Sequence, residues 1–352
     1  MKALKMLITG GAGFVGSNLA IRFAEQGWKV TALDNLKRRG SELQLPKLRK
    51  AGVDFIHGDV REKADLEGLD EHSLVIDASA EPSVHAGKDL PDYLIQTNLM
   101  GTLNLLEWCR KRDASFLFLS TSRVFSIAAL NHLPFEETES RYRWLPAETE
   151  GYSEKGIAET FSREGARSLY GTSKLASELF IEEYVHQYQL KALINRCGVL
   201  TGPHQMGKVD QGVIALWVAR HIYQQPLTYT GFHGKGKQVR DVLHIDDLFD
   251  LLLLQIEQQD NWKGDSYQVG GGLKNSLSLK ELTGLTQEVT GHSIIISEQS
   301  ETSPLDLRSY ITDSSVAEET FNWEPQRNPT TIVEDICRWI RNDLETLRPL
   351  FT

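Results

Sequence analysis

Short apolar runs alternate with helically spaced stretches over roughly the first 125 residues. The runs "KMLITG", "KVTALD", "VDFIHGD", "LVIDASA" and "SFLFLST" read as strands, and near-continuous apolarity suits strands covered on both faces. Between them, "GSNLAIRFAEQG" and "LIQTNLMGTLNLLEWCRKR" have helical spacing, and the second ends in basic residues that suit a helix C-terminus. Alternation of this kind predicts a parallel sheet wrapped by helices. A polar stretch rich in Glu, Arg and Tyr then runs from Asn131 to Ser168; it is too long for an ordinary connection and reads as a functional or disordered loop. Helical spacing resumes in "YGTSKLASELFIEEYVHQY", a strand follows in "KALINRCGVL", and the remainder is less regular, with turn-like segments such as "TGPHQMGKVDQG", "TGFHGKGKQVRD" and "VGGGLKNS".

The first strand leads into "TGGAGFVG", which places Gly10, Gly13 and Gly16 three apart at the start of a helix. Such a turn lets backbone approach a pyrophosphate while a helix N-terminus supplies N–H groups and partial positive charge. The second strand ends at Asp34, close to the distance expected for a carboxylate gripping adenosine ribose hydroxyls. A carboxylate there repels a 2'-phosphate and favours NAD over NADP, although Arg38 and Arg39, which follow closely, could accept the extra phosphate. Asp59, ending the third strand, reads either as an adenine contact or as a strand-end turn residue.

Tyr170 and Lys174 are four residues apart on the long helix and so share one face. Both side chains normally hold their protons to about pH 10, so the pair is inert unless something aligns it. The fifth strand ends in "LSTSRVFS", which offers the hydroxyls of Ser120, Thr121 and Ser122 at the sheet's C-terminal end, where α/β proteins bind ligands.

Taken together, the glycine turn, the strand-end hydroxyls and the Tyr–Lys pair resemble an extended short-chain dehydrogenase/reductase of the NAD-dependent sugar-nucleotide epimerase/dehydratase family, over essentially the whole length. The resemblance implies an α/β fold: a Rossmann-type doubly wound parallel sheet over 1–190, with an insertion at 131–168. A smaller C-terminal α/β lobe over 191–352 would bind substrate and send segments back to the first domain. It also implies Thr121, Tyr170 and Lys174 as the catalytic set, with the charges of lysine and oxidised nicotinamide favouring phenolate. NAD would be held by Gly10, Gly13, Phe14, Val15, Gly16, Asp34, Asn35, Arg38, Asp59, Val60, Ala78, Asn98 and Lys174. Substrate contacts would come from Ser122, Arg123, Asn195, Arg196, Gln211, Gln238, Arg240 and Arg308; the two last match family positions that hold a pyrophosphate, with Asp306 supporting Arg308. Tyr142 and Tyr152 could stack on sugar or base.

Dehydratases and decarboxylases of this family place an acid soon after the catalytic hydroxyl. Here Ser122 and Arg123 follow, which argues against elimination and decarboxylation. Within the family the chain is most similar to the CDP-paratose (CDP-tyvelose) 2-epimerase group, on "LKRRG", the basic Arg123, "EETESRY" and "EGYSEKGIAETFS" in the insertion, "DQG" (Asp210 to Gly212), "GKGKQVRDVLH" and "GGGLKNSLSLKEL". That implies epimerisation at C2 of a CDP-hexose through a keto sugar, with a homodimer as the assembly. The family's usual "VYG" reads "VFS", with Phe125 and Ser126, and "HLAA" reads "DASA", with Asp77 and Ser79; these departures bear on the sugar more than on the redox chemistry. An NDP-sugar 4-epimerase, a related NDP-sugar oxidoreductase and a non-catalytic dinucleotide sensor are the alternatives.

A formal net charge of -10 argues against nucleic acid and anionic membrane as partners. No apolar window approaches the length that spans a bilayer, and the basic-then-apolar N-terminus is interrupted by Lys5, so it reads as a buried strand rather than a signal peptide. Cys109, Cys197 and Cys337 are far apart, which fits a reducing cytoplasm, and the histidines show no metal-ligand spacing. A soluble cytoplasmic protein without metal is expected.

Overall fold

The computed structural model describes residues 5–207 and 211–352; Asp210 of the "DQG" segment lies outside the described residues. The five apolar runs form β1 (Lys5–Thr9), β2 (Lys29–Asp34), β3 (Asp54–His57), β4 (Leu74–Asp77) and β5 (Ser115–Thr121). With β6 (Ala192–Cys197) and β7 (Ser266–Val269) they make one sheet ordered β7-β6-β5-β4-β1-β2-β3. The pairs β1–β2, β2–β3, β1–β4 and β4–β5 are parallel. Chain order therefore reverses between β1 and β4, the switch point at which doubly wound sheets open a ligand crevice. Every residue of β5 is buried, as a strand covered on both faces requires.

Helix α1 (Phe14–Glu25) follows the glycine turn; α2 (Gly101–Arg112) and α3 (Leu169–Tyr188) pack with the sheet around Leu105, Leu106, Phe116, Phe118, Ile181 and Ile194. The stretch read as one helix before β5 is divided: an α-helical segment Pro91–Ile95, a π turn Gln96–Met100, then α2. The π turn carries the buried Asn98 and inserts one extra residue per turn where that side chain is needed.

The chain divides into two units, Met1–Val124 with Ser168–Arg196 and Phe249–Tyr267, and Phe125–Arg167 with Cys197–Leu248 and Gln268–Thr352. The insertion thus belongs to the second unit, whereas the sequence reading attaches it to the first. It is also structured: after a short helix (Ile127–His132) it forms two antiparallel hairpins, Phe135–Glu137 with Tyr142–Trp144 and Tyr152–Ser153 with Gly156–Ile157. In the same unit the strand Val239–His244 pairs antiparallel with Ser276–Ser278 and parallel with Ser309–Tyr310 and Val199–Thr201. Among the described residues no helix is long and apolar enough to cross a membrane.

Candidate active site

Gly10 has φ 62, and an added Cβ would lie 2.7 Å from the Ala78 carbonyl oxygen. A Cβ on Gly16 would overlap the carbonyl of Gly10. The turn is thus closed against itself and against Ala78, and only glycine leaves its backbone bare. Gly13 caps α1 with its side chain absent, and Phe14 and Val15 open the helix, so their N–H groups belong to the unsatisfied first turn. This cradle fits a dinucleotide pyrophosphate.

Asp34 stands beside it. Its Oδ2 accepts the Ala12 N–H (3.0 Å) and its Oδ1 the Leu36 N–H (2.7 Å). Burial pushes its carboxyl above the usual range, against the pull of those backbone donors. Asn35 donates to Asp59 (2.9 Å), and Asp59 also receives Arg61 through Nε (3.0 Å) and Nη2 (2.7 Å). Burial pushes the Asp59 carboxyl up, but the guanidinium and the amide outweigh it and hold it at about 2. Asp59 thus ties the end of β3 to the loop after β2 and to Arg61. Val60 is buried against Gly101, so its backbone rather than its side chain is what it can offer a ligand. Arg38 shares the following loop, where the neighbouring Lys37 ammonium lies 3.4 Å over the Tyr93 ring.

Helix α3 carries Tyr170 and Lys174. Ser168 starts it, accepting the Gly171 N–H (3.1 Å), which fixes the first turn that bears Tyr170. Tyr170 is half-buried and Lys174 is only 2% exposed, with its Nζ 4.0 Å over the Phe118 ring. Small residues face inward beside them: Ser177 Oγ donates to the Asn98 carbonyl (3.1 Å), and Asn98 Nδ2 donates to Ser173 Oγ (3.3 Å). Asn98 is further held by the Glu81 backbone on both amide atoms, so it acts as a clasp between the π turn, the loop after β4 and α3. Thr121 ends β5, and its Oγ1 accepts the Arg123 N–H (3.2 Å); Ser122 and Arg123 form a single 3-10 turn there.

Two expected substrate contacts are instead internal. Asn195 exchanges amide hydrogen bonds with Gln255 (2.8 and 2.9 Å), both fully buried. Arg196 is buried in an ion pair with Glu178, 2.8 Å from Nη2 to Oε2. A polar residue inside a strand is costly unless paired, and both pairs meet that requirement without a ligand. The "DASA" departure is likewise internal: buried Asp77 accepts Thr9 (2.7 Å), Ser79 (2.6 Å) and Thr102 (2.9 Å) hydroxyls. In the "VFS" departure Phe125 packs edge-on to Phe161 and stacks on Tyr310, and Ser126 caps the helix Ile127–His132.

The two arginines read as diphosphate contacts lie in the second unit. Arg240 donates to the carbonyls of Val239 (2.7 Å) and Leu307 (2.8 Å), and Arg308 to that of Asn131 (2.9 Å). The Arg308 guanidinium lies 3.8 Å over the Phe135 ring and near Tyr142 and Phe232, and burial pushes its pKa down. Gln238 donates to the Thr230 carbonyl (2.7 Å), while its buried Oε1 has no partner among the described residues. Gln211, at an isolated bridge position, precedes the helix Val213–Ile222. Tyr142 is buried and packs on Phe135 and Phe232. With Tyr152, which is edge-on to Trp144, it lines a cavity of about 370 Å³ bordered by Leu145, Val239 and Ile311.

Residues 6–270 match the model of the NAD dependent epimerase/dehydratase family. The chain belongs to that family. Its cofactor is NAD, and the glycine cradle with Asp34 fits it. The CDP-paratose 2-epimerase of Salmonella typhi is 29% identical over 96% of this chain and 99% of its own length. A putative UDP-glucose 4-epimerase of Methanocaldococcus jannaschii is 25% identical over 97% and 100%. Among solved structures, Pal from Bacillus thuringiensis superposes with a TM-score of 0.80 at 25% identity, covering 96% of this chain and 99% of that one.

Sequence reasoning missed Glu178 and Arg61. Glu178 was within reach, because it lies one further turn along the stripe that holds Tyr170 and Lys174. Arg61 partners a residue only two positions away and gave no periodic signal.

Proposed function

We propose that this family member epimerises a CDP-linked hexose at C2 through a transient keto sugar. The observation that carries the proposal is a likeness to a CDP-paratose 2-epimerase over 96% of this chain, joined to Thr121 at the C-terminal end of β5 and to Tyr170 and Lys174 one turn apart on α3. Bound NAD supplies the hydride acceptor and donor for the oxidation and its reversal. Tyr170 takes the sugar hydroxyl proton on its phenolic oxygen and returns it when the alcohol re-forms. Lys174, buried and positive, favours the phenolate that this requires. Thr121 donates a hydrogen bond to the reacting oxygen as it gains charge. Inversion follows when the keto sugar turns over before reduction on its other face.

Arg240 and Arg308 hold the diphosphate. Backbone carbonyls orient both side chains, and a desolvated guanidinium such as that of Arg308 gains more from a phosphate than one in water. Ser122, Arg123, Gln211 and Gln238 contact the sugar or base. The NAD adenosine lies against Asp34, Asn35 and the Arg38 loop. The protein acts in the cytoplasm, where its three buried cysteines stay as reduced thiols. Exposed Leu179 and Phe180 on α3, with Ile95 and Met100 beside the π turn, form the apolar face for a second copy of the chain.

A UDP-sugar 4-epimerase is the second reading, supported by the full-length likeness to the Methanocaldococcus jannaschii protein. Turnover of C2-deuterated CDP-hexoses, followed by NMR in heavy water, separates the two. Inversion at C2 with the deuterium retained and no net NADH supports the proposal. Inversion at C4 of a UDP-hexose alone, or net NADH, overturns it.

A further inference from the structure

Glu178 is fully buried on α3, one turn beyond Lys174, and its carboxylate receives donors from two strands. Ser120 Oγ of β5 lies 2.5 Å from Oε1. Arg196 of β6 reaches it through Nε (3.2 and 3.1 Å to the two oxygens) and Nη2 (2.8 Å). Burying a charge pair costs desolvation, and apolar side chains of similar volume generally stabilise a core as well or better. What an apolar contact lacks is direction. Leucines would let helix and strand slide by a fraction of a turn at little cost, whereas charge-assisted bonds from two strands fix both the height and the rotation of α3 over the sheet.

The two ends of this lock sit next to the chemistry. Ser120 immediately precedes Thr121, so the bond that holds Ser120 sets the direction in which the Thr121 hydroxyl leaves β5. Glu178, Lys174 and Tyr170 lie on successive turns of one rigid helix, so fixing Glu178 fixes the other two. We infer that Glu178 is a positioning residue, clamped by Ser120 and Arg196, that aligns Thr121 with Tyr170 and Lys174. The inference rests on the catalytic reading given above.

Ser120→Ala tests it most gently, since it removes one bond and neither charge. With whichever CDP- or UDP-hexose the enzyme turns over, kcat is expected to fall about tenfold, with KM within about twofold and the melting temperature nearly unchanged. Ser120→Thr keeps the hydroxyl and restores most of kcat. Glu178→Met combined with Arg196→Met removes the whole lock without stranding a charge, and kcat falls at least as far while the protein still folds. Wild-type kcat in Ser120→Ala overturns the inference whatever the double variant does. Tyr170→Phe run alongside separates the two failures: if it is inactive while Ser120→Ala is unimpaired, only the alignment role falls, and if it is active, the catalytic reading falls and the inference with it.

Discussion

The ammonium of Lys174 lies 4.0 Å above the ring of Phe118, on a side chain that is 2% exposed. A cation removed from water needs compensation, and an aromatic face provides some of it without taking the proton or cancelling the charge. In the proposed mechanism that charge acts on Tyr170. Phe118→Leu takes away the ring face against which the ammonium rests. The expected result is a several-fold lower kcat, with a stability loss on the order of 1 kcal/mol. An unchanged kcat would show that the ring serves packing alone.

Gly16→Ala should damage the cofactor cradle more than its small volume suggests. The new methyl overlaps the Gly10 carbonyl, and Gly10 is itself pressed against Ala78, so the turn has nowhere to retreat. NAD affinity, measured by calorimetry, is expected to drop at least about tenfold, because backbone N–H groups no longer converge on the pyrophosphate.

Asp34 accepts N–H groups with both oxygens, so Asp34→Asn must turn an NH₂ toward one of those donors. A clash of donors costs about 1–3 kcal/mol. NAD binding should weaken, and preference over NADP should narrow because the anion facing the 2'-position is gone. Titration with both dinucleotides reads this directly; an unchanged NAD/NADP ratio would transfer discrimination to the Arg38 loop.

Acid stability carries a signature of Asp59. Its folded pKa, about 2, lies below the ordinary aspartate value near 3.8, so the folded state holds the ionised form more tightly. The resulting stabilisation is complete above the unfolded value and is lost as pH falls through about 2. By that linkage it amounts to roughly 2 kcal/mol at neutral pH. Urea melts of Asp59→Asn should show this loss at pH 7, with the gap to the wild type closing between about pH 4 and pH 2.

What the chain declared in advance follows from range. Strands β1 to β5 are continuous apolar runs whose burial is decided locally, and the glycine turn and the Tyr170–Lys174 spacing are local as well. The insertion hairpins were illegible because two- and three-residue strands such as Tyr152–Ser153 are too short to show a period. The π turn at Asn98 was hidden within a helical pattern that one extra residue barely disturbs. Arg196 and Asn195 read as substrate contacts from the family resemblance and their place at the end of a strand, and the partners that hold them, Glu178 and Gln255, stand on other elements.

The return of Phe249–Tyr267 to the first unit governs how the protein can be made. Phe249 packs edge-on against Phe23 of α1, and β7 closes the sheet beside β6. A ribosome releases Phe23 long before either piece exists. The NAD-binding sheet must therefore wait, with one side of α1 and one strand edge uncovered, until Val269 has emerged. Synthesis stalled before that point should leave a product that aggregates rather than one that binds dinucleotide.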